Sequence, residues 1–221
     1  MRLIAALAVA IAGLAAAPVR AADDCHIDLL GGGILGQSQH IHSSATPITD
    51  KFDLRGRAAG AGFGCTWFRN RWATGVTADV MRATGKGHGQ DVAPFNTGFT
   101  SYTELEWLGT LRLVAGYRST PGNMLYLTGG AAMGPVKAKA CPNGVSSGSL
   151  CAVDSQTLYG LVGGFGSQWQ FARHWSLNGE FLYFGFEKRA YMSPPLAGFA
   201  DRGGGLALEV LLARMALSFH F

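Results

Sequence analysis

The sequence predicts an all-β fold: an eight-stranded antiparallel transmembrane β-barrel with short periplasmic turns and long extracellular loops. Three observations lead there. Apolar residues make up 48% of the 221 residues and charged residues only 14%, against about 25% charged in ordinary soluble domains. Past residue 20 there is no run of eighteen apolar residues, so no membrane helix follows. Apolar and polar residues instead alternate with period two through most of the chain, the signature of half-buried strands.

The chain opens on a secretory signal. Arg2 supplies a positive start, Leu3 to Ala17 an apolar stretch ended by Pro18, and Val19-Arg20-Ala21 a cleavage site. Residues 1–21 are therefore read as a signal peptide and 22–221 as the barrel domain. Formal net charge is +4 for the whole chain. Removing Arg2 and Arg20 leaves about +2, and no basic stripe interleaved with aromatics suggests nucleic acid.

The strands follow in order. Those near 25–36 and 54–68 are glycine-rich and weakly patterned. Residues 72–82 set Trp72, Val76, Ala78 and Val80 against Thr77 and Asp79. Residues 103–117 set Leu105, Trp107, Leu111, Leu113 and Tyr117 against Glu104, Glu106, Thr110 and Arg112. A glycine-rich strand lies near 124–134. Residues 157–170 set Tyr159, Leu161, Phe165 and Trp169 against Gly160, Gly164, Gly166 and Gln168. Residues 175–186 set Trp175, Leu177, Phe181 and Tyr183 against Ser176, Asn178 and Glu180. The last, 206–221, sets Leu211, Ala213, Met215, Leu217, Phe219 and Phe221 against Arg214, Ser218 and His220. Each is long enough for the roughly 9–11 residues that cross a bilayer as a tilted strand.

Connections alternate in length: short near 69–71, 118–123 and 172–174, long near 37–53, 84–101, 135–156 and 187–205. Short turns at one end and long loops at the other are the pattern of outer-membrane barrels, with both termini periplasmic. Trp67, Trp72, Trp169, Trp175, Phe219 and Phe221 all fall near the short-turn end and are expected to form an interfacial girdle. Tyr102, Trp107, Tyr159 and Phe184 are assigned to the outer one. The glycine excess is read as a matter of volume, because the interior of an eight-stranded barrel is only just wide enough for side chains.

Several motifs resemble the small OmpA-like "porin family" of outer-membrane proteins and surface antigens of Gram-negative bacteria. They are WATGVTADV from Trp72, WLGTLRLVAGYR from Trp107 to Arg118, YLTGGAAMG from Tyr126, WSLNGEFLYF from Trp175, and ARMALSFHF ending in Phe221. The first strand, CHIDLLGGGILGQ, departs from that pattern in lacking an aromatic pair, and four cysteines are unusual for it. The resemblance implies an outer-membrane location and a non-enzymatic, structural and surface-exposed role. It implies lipid bilayer and lipopolysaccharide as surroundings, assembly machinery that recognises the strand ending in Phe221, and host or surface ligands for the loops. A small-solute porin and a haem- or metal-binding surface protein are the alternatives.

Candidate sites divide by position. Asp79, Arg112, Glu180 and Arg214 lie at comparable heights on neighbouring strands, so Asp79–Arg112 and Glu180–Arg214 are expected as lumen ion pairs, with Glu104 and Glu106 higher on the same face. Such a cluster reads more simply as a lumen plug than as acid–base machinery. Cys25, Cys65, Cys141 and Cys151 fit an oxidising compartment. Only the pairing Cys25–Cys65 and Cys141–Cys151 avoids crossing the bilayer; free thiols are the alternative. His40, His42 and His88, placed in the first two outer loops, are the candidates for metal or haem iron, although loop histidines are more simply polar residues, and no cofactor is expected. His174, Ser176 and Glu187 suggest an esterase set, but Glu187 sits at the far end of the strand from the other two. Lys86, Lys137, Lys139, Lys188, Arg189 and Arg202 lie in or beneath the loops, where lipopolysaccharide phosphates are the natural counter-charges and solvated loop charge the simpler reading.

Overall fold

A computed structural model describes residues 24–42, 44, 46–93, 98–144, 151–191 and 204–221; the signal segment 1–21 lies outside the described residues. The strands are β1 (Asp24–His42), β2 (Phe52–Arg69), β3 (Trp72–Gln90), β4 (Phe99–Thr120), β5 (Asn123–Pro142), β6 (Ala152–Ala172), β7 (Trp175–Phe186), β8 (Arg189–Tyr191) and β9 (Gly204–His220). Neighbours in sequence pair antiparallel throughout. β7 and the short β8 lie one after the other against β9. They form one stave, so the ring has eight. β1 closes it against β9, from His26↔His220 to His42↔Gly204. Closure pairs both edges of every stave, which removes the exposed sheet edge that lipid cannot tolerate.

Three hairpins end in two-residue turns: Asn70-Arg71, Pro121-Gly122 and Arg173-His174. Asn70 has φ of 59°, a left-handed conformation that asparagine adopts more readily than most residues. The other ends differ from the sequence expectation. β4 alone has 22 residues, about twice what crosses a bilayer. The connections at the loop end shrink to residues 43–51, 91–98, 143–151 and 192–203. The alternation continues past the apolar band with polar residues facing outward, and composition alone made these paired extensions look like loops.

The outward face carries Ile27, Leu29, Leu35, Phe63, Val80, Leu111, Leu127, Leu161, Phe181 and Met215, all exposed. At the turn end Trp72, Trp169, Trp175, Phe219 and Phe221 also point outward, and Trp67 is half-buried. Trp72 meets Tyr117, and Trp175 meets Phe219, edge to face at 5.3 and 5.2 Å between ring centres. Phe184 corrects the outer-girdle assignment. Tyr183 points out, so Phe184 points in, and it is fully buried.

Candidate functional site: the barrel interior and its outer rim

The interior is built in layers. Strand alternation sends one residue in two inward, and the side chains differ systematically with height. At the turn end lies a polar layer. The Asp24 carboxylate meets Nδ1 of His220 at 2.9 Å, and His220 Nε2 meets Ser176 Oγ at 2.7 Å. Asn178 donates to Ser218 at 2.9 Å, and Ser218 donates to Asp28. Ser176 stands in the order of a nucleophilic triad but is fully buried, so the order alone supplies no substrate access. Glu187 takes no part. His174 instead contacts the His220 carbonyl at 2.9 Å through Nδ1.

Above this layer the four charged residues expected in the lumen form a closed ring. Arg112 donates to Asp79 at 2.9 Å and to Glu180 at 3.2 Å. Arg214 donates to Asp79 at 3.0 Å and to Glu180 at 2.6 Å. The ring joins β3, β4, β7 and β9, and no side chain in it is more than 7% exposed. Glu180 and Arg214 are direct cross-strand partners. Asp79 faces Thr110, so Arg112 reaches it from two residues along β4. Tyr126 donates to Glu180 at 2.9 Å, and Thr128 lies 3.3 Å from Arg112. A buried charge is tolerated only when paired and hydrogen-bonded, and here each charge meets two of opposite sign.

Glu104 and Glu106 do not join this ring. The β3–β4 and β4–β5 ladders shift register between Arg82 and Gly85 and between Leu105 and Gly109. The bulge inverts the parity of upper β4, so Thr103 and Leu105 are buried while the two glutamates face out. Glu104 pairs with Lys139 at 2.8 Å, and Glu106 pairs with Lys137.

The next layer was not foreseen. Above the charged ring the interior is apolar, with Leu30, Met81, Leu108, Leu182, Phe184 and Leu212 among a continuous buried cluster. Met81 Sδ lies 3.5 Å from Arg214, so the two layers touch. The signal lies in β9: Leu206, Leu208, Val210 and Leu212 form one wholly apolar face, and Ala207, Leu211 and Ala213 make the opposite face apolar apart from Glu209. Inward glycines make room, as expected. A Cβ on Gly166 would sit 2.6 Å from the Tyr126 ring. Gly31, Gly33, Gly129, Gly163 and Gly179, however, are outward and fill no lumen.

A second polar layer ends the column. His40 is fully buried, its Nε2 3.0 Å from Thr103 Oγ1, with Ser38 2.9 Å from the same hydroxyl. Ser101 donates to Asp91 at 2.8 Å. His40 and His42 therefore belong to β1 and His88 to β3, not to loops. The three do not converge: His42 bonds Ser44 at 2.8 Å, and His88 packs on Tyr102 at 5.6 Å on the outside.

The cysteines form two bridges, Cys25–Cys65 and Cys141–Cys151. Cys25 and Cys65 are direct cross-strand partners on the outward face at the turn end. The other bridge ties the loop end of β5 to the residue before β6. Lys86, Lys137 and Lys139 face outward on strands, and Lys188 follows β7. Arg202 and the Arg189 side chain lie outside the described residues.

The closed ring, the apolar outward band and the aromatic girdle define the class: an eight-stranded outer-membrane β-barrel. Comparison with known proteins agrees. Over 87 residues the chain is 37% identical to the 31 kDa outer-membrane immunogenic protein of Brucella melitensis, a stretch that covers 39% of this chain and 36% of that protein. The Brucella suis protein of the same name matches equally. The match thus spans about a third of the length of these relatives. The outer membrane protein OprG of Pseudomonas aeruginosa aligns with TM-score 0.54 at 14% identity, covering 90% of this chain and 97% of that one. The outer membrane protease OmpT of Escherichia coli aligns with TM-score 0.55 at 7% identity, covering 93% and 99%. At such identities the likeness is one of fold. No family model matches the chain. The chain is a small β-barrel protein of the Gram-negative outer membrane.

Proposed function

We propose that this is a structural, surface-exposed barrel whose lumen is closed, with no catalytic role. The single observation that carries the reading is the filled column: a salt-bridged ring of two arginines and two carboxylates directly beneath a continuous apolar cluster. An ion would have to displace both layers, and neither offers it a hydrated path. Residues 1–21 act as a cleaved export signal and residues 22–221 as the barrel. The turn end faces the periplasm, and the strand extensions rise beyond the lipopolysaccharide-bearing leaflet. The name of the Brucella relatives supports an exposed, immunogenic surface, with host or surface ligands meeting the loops. Phe221, outward and 65% exposed, is the feature presented to the assembly machinery.

Liposome swelling tests the closed lumen. Vesicles carrying the folded protein are expected to swell in small sugars no faster than empty ones. Swelling that scales with protein content would establish the porin reading instead.

A further inference from the structure

The barrel wall is not paired to the same height all the way round. β6 keeps its ladder with β5 up to Ala140↔Ala152. On its other side the ladder with β7 ends at Gly160↔Phe186. One further bond follows, from the Glu187 N–H to the Tyr159 carbonyl at 2.9 Å. β8 continues that stave but, among the described residues, is laddered to β9 alone. Residues 152–158 of β6 therefore run about 20 Å past their last partner on the β7 side.

Alternation fixes where the backbone groups of this stretch point. The Tyr159 carbonyl points to the β7 side, and successive residues of a strand direct their N–H and C=O to opposite edges. Thr157, Ser155 and Val153 thus turn theirs to the β7 side. Asp154 and Gln156 turn theirs to β5, where they face Ala138 and Val136. Among the described residues no hydrogen bond reaches the backbone groups of Val153, Ser155 and Thr157 on that edge. Val153 and Ser155 are also exposed. The gap across the mouth, above the β2–β3 ladder, is treated differently. There the chain covers itself: Pro47 bridges to Ile41 and Thr49 to Asp91, and the Val92 N–H donates to the Ile48 carbonyl at 2.8 Å.

We propose that the upper edge of β6 is a docking site for an extended polypeptide segment, which adds to the barrel wall as a further strand. N–H and C=O groups that recur about every 7 Å along a line are matched by the backbone of another strand. The outward side chains along the edge, Val153, Ser155 and Thr157, are small or β-branched and uncharged. The matching partner residues are therefore uncharged and β-branched, in a segment without proline. A second copy of this chain does not fit. Side by side in one membrane, the facing strands of two barrels each tilt by about 35–45° and cross at about 70–90°, too steep for a ladder. The partner is thus a chain that approaches from outside the barrel's own membrane. The inference rests on the orientation proposed above only in placing this edge outside the cell.

The test is a titration of the full folded barrel in non-ionic detergent, where neither orientation nor lumen closure enters. The probe is a fluorescein-labelled peptide, Lys-Thr-Val-Thr-Val-Thr-Lys, read by fluorescence anisotropy. Its control carries two adjacent prolines at the centre, which remove a donor from each edge. Saturable binding of the first peptide alone is expected. Ser155→Pro should weaken it about tenfold, because one donor is lost and a peptide carbonyl is left unpaired. That proline stands where the N–H serves no ladder, the position an edge strand tolerates, so barrel stability should not change. Amide hydrogen exchange of the wild type gives a readout independent of any variant. Val153, Ser155 and Thr157 should exchange fast in the free barrel, beside slow Asp154 and Gln156, and should slow when the peptide is added. No binding of the peptide, or equal binding of the proline control, overturns the proposal. So does unchanged binding by Ser155→Pro, or protection of the three amides in the free barrel. Loss of the fold in Ser155→Pro overturns it as well, since that N–H would then be in use.

Discussion

Glu180→Gln is the substitution that probes the interior most sharply. It preserves volume and removes one negative charge from a ring that is otherwise neutral. Wild-type Glu180 accepts from Arg112 at 3.2 Å, Arg214 at 2.6 Å and Tyr126 at 2.9 Å, with the arginine side chains 2% exposed. Removing one partner of a buried pair costs about 3–5 kcal/mol, because the other charge stays behind unpaired. Asp79 remains at 2.9 and 3.0 Å from the two guanidiniums, so the lower part of that range, about 3–4 kcal/mol, is expected. That is a hundred-fold or greater fall in the folding equilibrium. The assay is urea unfolding of the barrel in lipid vesicles, followed by tryptophan fluorescence. Two comparisons sharpen it. Glu106→Gln breaks a pair that faces outward and should leave the unfolding midpoint where it was. Arg214→Gln added to Glu180→Gln restores neutrality and should recover part of the loss. A Glu180→Gln protein as stable as wild type, or a Glu106→Gln protein destabilised as much, would refute the layered interior.

Further outcomes follow from the same geometry. Gly166→Ala forces the Tyr126 ring away from Glu180 and should cost about 1–3 kcal/mol by overpacking, measured by the same urea titration. Cystine mapping under non-reducing conditions should recover Cys25–Cys65 and Cys141–Cys151, and Cys141→Ala with Cys151→Ala should cost about 2–3 kcal/mol from the short loop it opens. Haemin titration of wild type and of a His40→Ala, His42→Ala, His88→Ala variant should give indistinguishable spectra, since the three rings do not converge. A fluorophosphonate probe should leave Ser176 unlabelled in the folded barrel, because the hydroxyl is buried; labelling would show that the periplasmic mouth opens to it.

The sequence exposes most of the barrel because its outer face is selected by lipid. Leu111, Leu113, Phe181 and Met215 recur every second residue, and the girdle tryptophans stand beside two-residue turns. The charged ring was legible because four long polar side chains fell at matching heights on neighbouring strands. What stayed hidden has physical reasons. The bulge in β4 reverses which side chains face inward, and nothing in TELEWLG marks the extra residue, so simple alternation puts Glu104 and Glu106 on the inner face, whereas both face out. The apolar layer around Leu182 and Phe184 is hidden because an apolar residue on a barrel strand reads as lipid-facing, whereas a narrow lumen is also a dry environment. His40 looked like a loop residue because the paired extensions above the membrane are as polar as loops.

We infer a lumen closed by charge pairing below and apolar packing above. Single-channel recording in a planar bilayer tests it most directly. The wild-type barrel, incorporated and verified as folded by its heat-modifiable gel mobility, is predicted to give no sustained unitary conductance. Stable, reproducible unitary openings from that same preparation would contradict the account.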